Sequence, residues 1–305
     1  MNKILFRYQQ FEIRIMIGTC RLTRKETELR NSHIYPKFVV EWMKKTGSKY
    51  QRGYTTPNKR EQDGYKRYLL SEEAEQLFSK SEKWFAENIF RKYLDNSFIQ
   101  MTYDENLFYF AISMLWRILV LEIEHPNNKS FKFRDTLIDT EKQWRNFLLN
   151  GIYPKDYDKI HLILTDNVVY HTMPSQSVDY YLTRMMDGTT VFNEKFRYCS
   201  MYAKFSKFIF WSFLLENDEY KMSNTKINPI KGTIGIPQKF DSIQILSFIP
   251  HRIRLIDNME LASDKQQEII LEEILKNKEH YLNSELADSL EFDYAMKEKN
   301  KTNSW

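Results

Sequence analysis

Turn-forming residues are scarce in this chain, with eight glycines and eight prolines among 305 residues. A turn-rich β-sandwich needs Gly, Pro or Asn at close and regular intervals, and a Gly-rich nucleotide fold needs glycines at fixed offsets. Both are disfavoured. Hydrophobic residues make up 42% of the chain and aromatics 15%, so it can bury a core and is not globally disordered. The length fits one large or two moderate domains.

Charge is distributed unevenly. Residues 1–69 hold 16 Lys/Arg against 6 Asp/Glu, and the remainder holds 29 against 35. A basic first quarter on a mildly acidic body suggests a polyanionic partner. The two cysteines, Cys20 and Cys199, lie far apart. The first 17 residues carry Arg7, Glu12 and Arg14 inside an apolar pattern, unlike a secretory signal. No stretch reads as about 18 uncharged apolar residues, so no membrane span is expected, and a reducing cytoplasmic setting is the default.

Periodicity gives a coarse element order. Residues 11–17 read as a strand. Leu29 to Tyr35 reads as a second extended piece, because Pro36 biases its predecessor away from helix. Phe38–Lys45 has helical spacing, and Gly47–Gly64 reads as a loop. Ser71 is a good N-cap, followed by Glu72, Glu73 and Glu75 at the positive end of the helix dipole. Ala74, Leu77 and Phe78, then Trp84, Phe85, Ile89 and Phe90, form an apolar stripe with one phase slip, running to about Tyr93. Residues 104–123 form a long apolar helix, and Thr140–Leu149 a further helix closed by Asn150-Gly151.

Ile160–Leu164, Val168–Tyr170 and Thr189–Phe192 read as strands. Tyr198–Leu215 fits a buried helix or two strands, and the spacing of Tyr202, Phe205, Phe208, Ile209 and Phe213 favours helix. Ile227–Ile236 reads as a loop and Ser242–His251 as a short helix or strand. Ser263, with Gln266 completing a capping box, opens a last long helix to about Asp293, after which the tail is polar and frayed.

Three segments carry the chemistry: Cys20-Arg21-Leu22-Thr23, then Ser32-His33-Ile34-Tyr35-Pro36-Lys37-Phe38, then Leu69-Leu70-Ser71-Glu72-Glu73-Ala74. Their order resembles the layout of HNH endonucleases, and of bacterial proteins with a Ser-His-Ile-x-Pro-Lys-Phe segment. In that family Cys-x-x-Cys, His-Ile-x-Pro and a second Cys-x-x-Cys at a helix start frame a ββα unit. The resemblance covers roughly residues 20–90. It implies that His33 is the general base, with Glu75 and Glu82 on the following helix as candidate acidic partners, Glu75 first. Asp63 in the preceding loop is a further candidate. It also implies magnesium as the ion of an active site. Thr23, Ser71 and Ala74 replace three of the four knuckle cysteines, and one thiol cannot build a tetrahedral structural zinc site, so no structural zinc is expected.

Lys37, Arg52, Lys59, Arg60, Lys66 and Arg67 surround these segments, with Tyr50, Tyr54, Tyr65 and Tyr68 interleaved. Cations neutralise phosphates and exposed aromatics stack on unpaired bases, so these six are the candidate nucleic-acid-binding residues. The expected fold is α+β and mostly helical, with an HNH-like module over 1–95 and a larger helical domain with a small sheet over 96–305. The expected function is nucleic-acid binding, DNA rather than RNA, by a metal-dependent or degenerate endonuclease. By analogy with the family, the role is in bacterial defence. The competing expectation is a non-enzymatic subunit that docks a protein partner through its basic module and last helix.

Overall fold

The computed structural model describes residues 15–53, 55–95, 100–155, 157–165, 177–215 and 221–302. The chain is α+β, with helices accounting for about half of it. The first third contains β1 (Met16–Thr19), β2 (Glu26–His33), α1 (Lys37–Lys45), β3 (Gln51–Gly53), β4 (Thr56–Glu61), β5 (Lys66–Leu70), α2 (Glu72–Phe85) and α3 (Arg91–Asp95). β2 lies between β1 and β5 in an antiparallel sheet, and β3 pairs with β4 as a separate hairpin. Most of the expected 11–17 strand lies outside the described residues. The 47–64 segment is no plain loop, since it contains the hairpin. Gly64 turns the chain into β5 at φ +72, a conformation that favours glycine.

Ser71 caps α2 by accepting the Ala74 N–H at 3.3 Å. The phase slip in the apolar stripe is a π-helical turn, Ala86–Phe90, between α2 and α3. Its wider winding lets Phe85, Ile89 and Phe90 all reach the core.

β6 (Gln100–Asp104) leads into α4 (Glu105–Glu124), whose first turn is capped by the Asp104 carboxylate accepting the Asn106 N–H. Among the described residues α4 is the one helix long and apolar enough to cross a bilayer, contrary to the sequence reading. It is buried in protein instead. Residues from Leu107 to Val120 are enclosed, against α2 on one side, α5 (Arg134–Asn150) on another and a four-stranded sheet on a third. α5 starts earlier than its apolar spacing suggests and ends at Gly151 in the left-handed region, φ +71.

The sheet has the order β7-β10-β9-β8, all antiparallel. Its strands are β7 (Ile160–Leu164), β8 (Asp187–Asn193), β9 (Tyr198–Phe205) and β10 (Phe208–Leu215), and α6 (Val178–Arg184) precedes β8. The expected Val168–Tyr170 strand lies outside the described residues. Residues 198–215 are thus two strands joined at Ser206, φ +47, and not a helix. The reason is burial on both faces. Phe205, Phe208 and Phe210 face α4, while Tyr202, Ile209, Trp211 and Phe213 face the opposite layer. A strand buried on both sides loses the polar alternation that would mark it.

The opposite layer is α6 with α7 (Ile243–Asp257), which supplies Ile245, Ile249 and Ile253. Short strands complete the region: β11 (Met222–Ser223), β12 (Lys231–Gly235, paired with β6) and β13 (Lys239–Phe240). The expected 227–236 loop therefore contains a strand. The C-terminal part is three helices, α8 (Asp264–Lys276), α9 (Lys278–Leu282) and α10 (Glu285–Thr302), and not one long helix. Ser263 makes no side-chain cap bond, so the capping box does not form, and helix continues past Asp293.

One apolar core runs from Cys20 and Ile34 through Phe78 and Phe110 to Phe208, continuous across residue 95. Lys204 is buried beyond it, on the α7 side, its ammonium donating to the Met185 and Ser206 carbonyls at 3.0 and 2.8 Å. Burial pushes its pKa down from 10.5 to about 7. Between those two values the unfolded chain holds a proton that the folded chain lacks, so stability rises with pH. Urea unfolding of wild type and Lys204→Met at pH 7 and pH 9 tests this. The difference between them should move in favour of wild type by about 2 kcal/mol. A pH-independent difference would contradict the burial argument.

Candidate functional site

The three sequence segments meet in space. Cys20 closes a tight turn after β1, and its Sγ accepts the Thr23 N–H at 3.5 Å and the Ser71 N–H at 3.3 Å. Arg21 N–H bonds to the Leu69 carbonyl at 3.0 Å, so the turn is laced to the start of α2. Burial raises the thiol pKa, but the hydrogen bonds from Thr23 and Ser71 outweigh it and bring the value below the ordinary one. Cys20, Thr23 and Ser71 thus meet at one sulfur, and Ala74 joins them through the Ser71 hydroxyl. With a single thiolate donor, they do not fit a tetrahedral zinc ion.

His33 ends β2 directly opposite Lys66 of β5. Its imidazole is half-buried and bonds to the Asp63 backbone carbonyl. Burial, and after it the Lys66 ammonium, hold the pKa below 6.5, against the opposing pull of Asp63 and Glu82. The ring is therefore neutral at pH 7 and able to accept a proton. Asp63 is exposed and pairs with Lys66 at 3.1 Å.

The two glutamates are placed differently. Glu82 faces the His33 region, but its carboxylate is held by Arg117 Nη2 in a short charge-assisted contact. Arg117 comes from α4, is buried, lies over the Phe78 ring at 4.8 Å and donates to the Ile34 carbonyl, next in chain to His33, at 3.4 Å. Glu75 lies two helical turns before Glu82, with one buried carboxylate oxygen that has no hydrogen-bond partner. The structure therefore brings His33, Asp63 and Glu82 together and leaves Glu75 apart. Among the described residues no three His, Cys, Asp or Glu side chains are grouped closely enough to hold a metal ion. With Glu82 bound to Arg117, the candidate residues do not fit a magnesium ion as arranged.

A cleft of about 1210 Å³ opens beside this region. One wall is the β3–β4 hairpin and β5, with Arg52, Lys59, Lys66 and Arg67. The other wall is the end of α4 and the α6–β8 junction, with Glu122, His125, Arg184 and Asp187, and Ile270 and Leu286 reach in from the C-terminal helices. Four of the six predicted nucleic-acid-binding residues therefore line one space. Arg60 lies beside it, over the Tyr50 ring at 4.9 Å and paired with Glu273 at 2.7 Å. Lys37 is not among the lining residues; it is exposed on α1 and paired with Glu41.

Within the cleft Arg52 stands out. Its Nε and Nη2 are buried and have no hydrogen-bond partner. Burial lowers its pKa, partly offset by the Glu273 carboxylate. A guanidinium stays charged, so two desolvated N–H groups without acceptors carry a cost, which a side-chain shift that exposed them to an acceptor would relieve. Arg184, by contrast, is satisfied by Glu285, Thr46 and the Met43 carbonyl at 2.7, 2.8 and 3.1 Å. Sequence reasoning missed Arg184 and Asp187, because nothing in local spacing links residues 184–187 to a hairpin more than a hundred residues earlier.

Comparison with protein-family models, curated proteins and solved structures finds no match for this chain. The site stands on its geometry alone.

Arg117 ties β2, α2 and α4 together, and removing it would strand the Glu82 carboxylate. Arg117→Ala should lower the free energy of unfolding by about 3 kcal/mol, and adding Glu82→Gln should recover part of that. Urea titrations of the two variants check it. A loss well under 1 kcal/mol would mean that the ion pair is no strut.

Proposed function

We propose that the protein binds nucleic acid in the cytoplasm, with DNA the expected form, and that the cleft beside the β3–β4 hairpin receives the phosphate backbone. The observation that carries this reading is the gathering of Arg52, Lys59, Lys66 and Arg67 along one cleft, with two guanidinium nitrogens of Arg52 left without a hydrogen-bond partner. Phosphate oxygens are the acceptors that a forked guanidinium fits best, and the surrounding cations add the counterion-release term that drives such binding. The convergence of Cys20, Thr23, Ser71 and Ala74 supports a degenerate HNH-like module as the origin of the basic half. A role in defence rests on that family analogy.

A second reading, endonuclease activity, is favoured by the neutral His33 imidazole beside Asp63 and Glu82. In it His33 takes a proton from the attacking water. A partner-docking role is favoured by the exposed Leu271, Leu275, Leu282 and Phe292 on the C-terminal helices.

Fluorescence anisotropy with labelled oligonucleotides at several salt concentrations tests the binding reading. Affinity should fall steeply with salt. Arg52→Ala and the double variant Lys66→Ala/Arg67→Ala should weaken binding and reduce the salt slope by about 1 per lost contact. Lys37→Ala, outside the cleft, should change neither. Equal effects from Lys37 and Arg52 would mean that charge and not the cleft is responsible.

Cleavage is tested on the same substrates with magnesium or manganese present. Activity should vanish in His33→Ala at unchanged affinity. A base must be deprotonated to act, so the rate should rise with pH to a plateau, with its inflection below 6.5. Binding with no cleavage in either protein would leave a recognition module.

A further inference from the structure

The cleft has a shape and a lining that discriminate among nucleic acids, which charge alone cannot do. We infer that it takes a single strand and not a duplex, an inference that rests on the nucleic-acid reading above.

The lining is aromatic as well as cationic. Tyr65 and Tyr68 both border the cleft and are 39% and 47% exposed, so aromatic surface is available beside its cations. The Arg67 guanidinium lies over the Tyr65 ring at 5.2 Å and donates to its hydroxyl at 2.7 Å, which fixes ring and cation as one platform. Unpaired bases present π-faces that such rings stack on, whereas the bases of a duplex are already stacked on each other.

The cations also sit in a concavity. Duplex readers push a helix or a two-stranded ribbon into a groove. Among the described residues, Lys66 and Arg67 lie on β5, which is built into the β1-β2-β5 sheet, and Arg52 and Lys59 lie on the β3–β4 hairpin, which is held from one side. Asn58, midway along β4, accepts the Ser263 N–H at 2.8 Å, and Arg60 is pinned to Glu273 of α8 at 2.7 Å. The C-terminal helices therefore back the ribbon and reach over the cleft, where Ile270 and Leu286 contribute to the lining. A volume of about 1210 Å³ exceeds the usual small-ligand pocket of roughly 300–1,000 Å³ and suits a short run of nucleotides.

The test uses the full chain at low salt. The probes are labelled single-stranded DNA and RNA of about 15 nucleotides, the matching duplex, and heparin as a polyanion without bases. Single strands should bind at least roughly tenfold more tightly than the duplex. Tyr65→Ala/Tyr68→Ala should weaken single-strand binding by roughly tenfold or more while leaving heparin binding unchanged. Tyr65→Phe/Tyr68→Phe, which keeps the rings, should retain most of the affinity, and circular dichroism confirms that both variants fold. Duplex binding as tight as single-strand binding overturns the inference and leaves nucleic-acid binding standing, as does an alanine variant that binds single strands like wild type. Binding to none of the nucleic acids, with or without heparin binding, sinks both.

Discussion

Helix α4 is apolar all round, and a helix of that kind can be stable in water only if every side is covered. The rest of the chain provides that cover. α2 supplies Phe78 and Phe85, α5 supplies Trp144 and Phe147, and the sheet supplies Phe205, Phe208 and Phe210. Phe85 and Phe110 stack at 4.1 Å, and Phe205, Phe208 and Phe210 meet Phe85 edge-on or tilted at 5.5–6.0 Å. Such aromatic pairs add geometric preference to area burial, which helps select one packing among the many a Phe-rich core could adopt.

The basic module is joined to that core by polar bonds as well as by packing. Arg117 reaches from α4 to both the backbone beside His33 and the carboxylate of Glu82. The Trp116 indole N–H donates to the buried Glu141 of α5 at 3.2 Å, and Glu141 also pairs with Arg24 of the knuckle turn at 3.0 Å. These links come from α4 and α5, both far along the chain from His33. They occupy Glu82, which a metal-dependent reading would need free. In the hydrogen-bonded cluster around Cys20, two backbone N–H groups converge on one sulfur, which can hold a turn together without a metal. The geometry favours positioning over chemistry around His33.

Much of the helical layout is legible in the sequence, because helix signals are local. Ser71 with its acidic first turn marks α2, and Gly151 marks the end of α5. The π-helical turn after Phe85 shows as a slip in the apolar stripe, since a wider turn shifts the phase of every later residue. The strands are harder to read. Residues 198–215 serve two cores at once, so their polarity never alternates, and Lys204, the one charged residue in β9, is itself buried. The β3–β4 hairpin carries Pro57, Asn58 and Gly53, which read as loop in isolation. The candidate site divides in the same way. Arg52, Lys59, Lys66 and Arg67 lie within 16 residues and are found by charge clustering. The opposite wall, at Arg184 and Asp187, follows only from how α6 packs.

The uneven charge along the chain acquires a structural meaning from these contacts. Residues 257–302 hold 12 Asp/Glu against 6 Lys/Arg. Two of those carboxylates lie against cations of the cleft region: Glu273 on Arg60 and Glu285 on Arg184. Lys66 is likewise answered by Asp63. The Arg60–Glu273 and Lys66–Asp63 pairs, nearer the surface than the buried Arg184, contribute little stability, but they lower the local positive field. Arg52 is the exception, with Glu273 acting on it only through space and two of its nitrogens unpartnered.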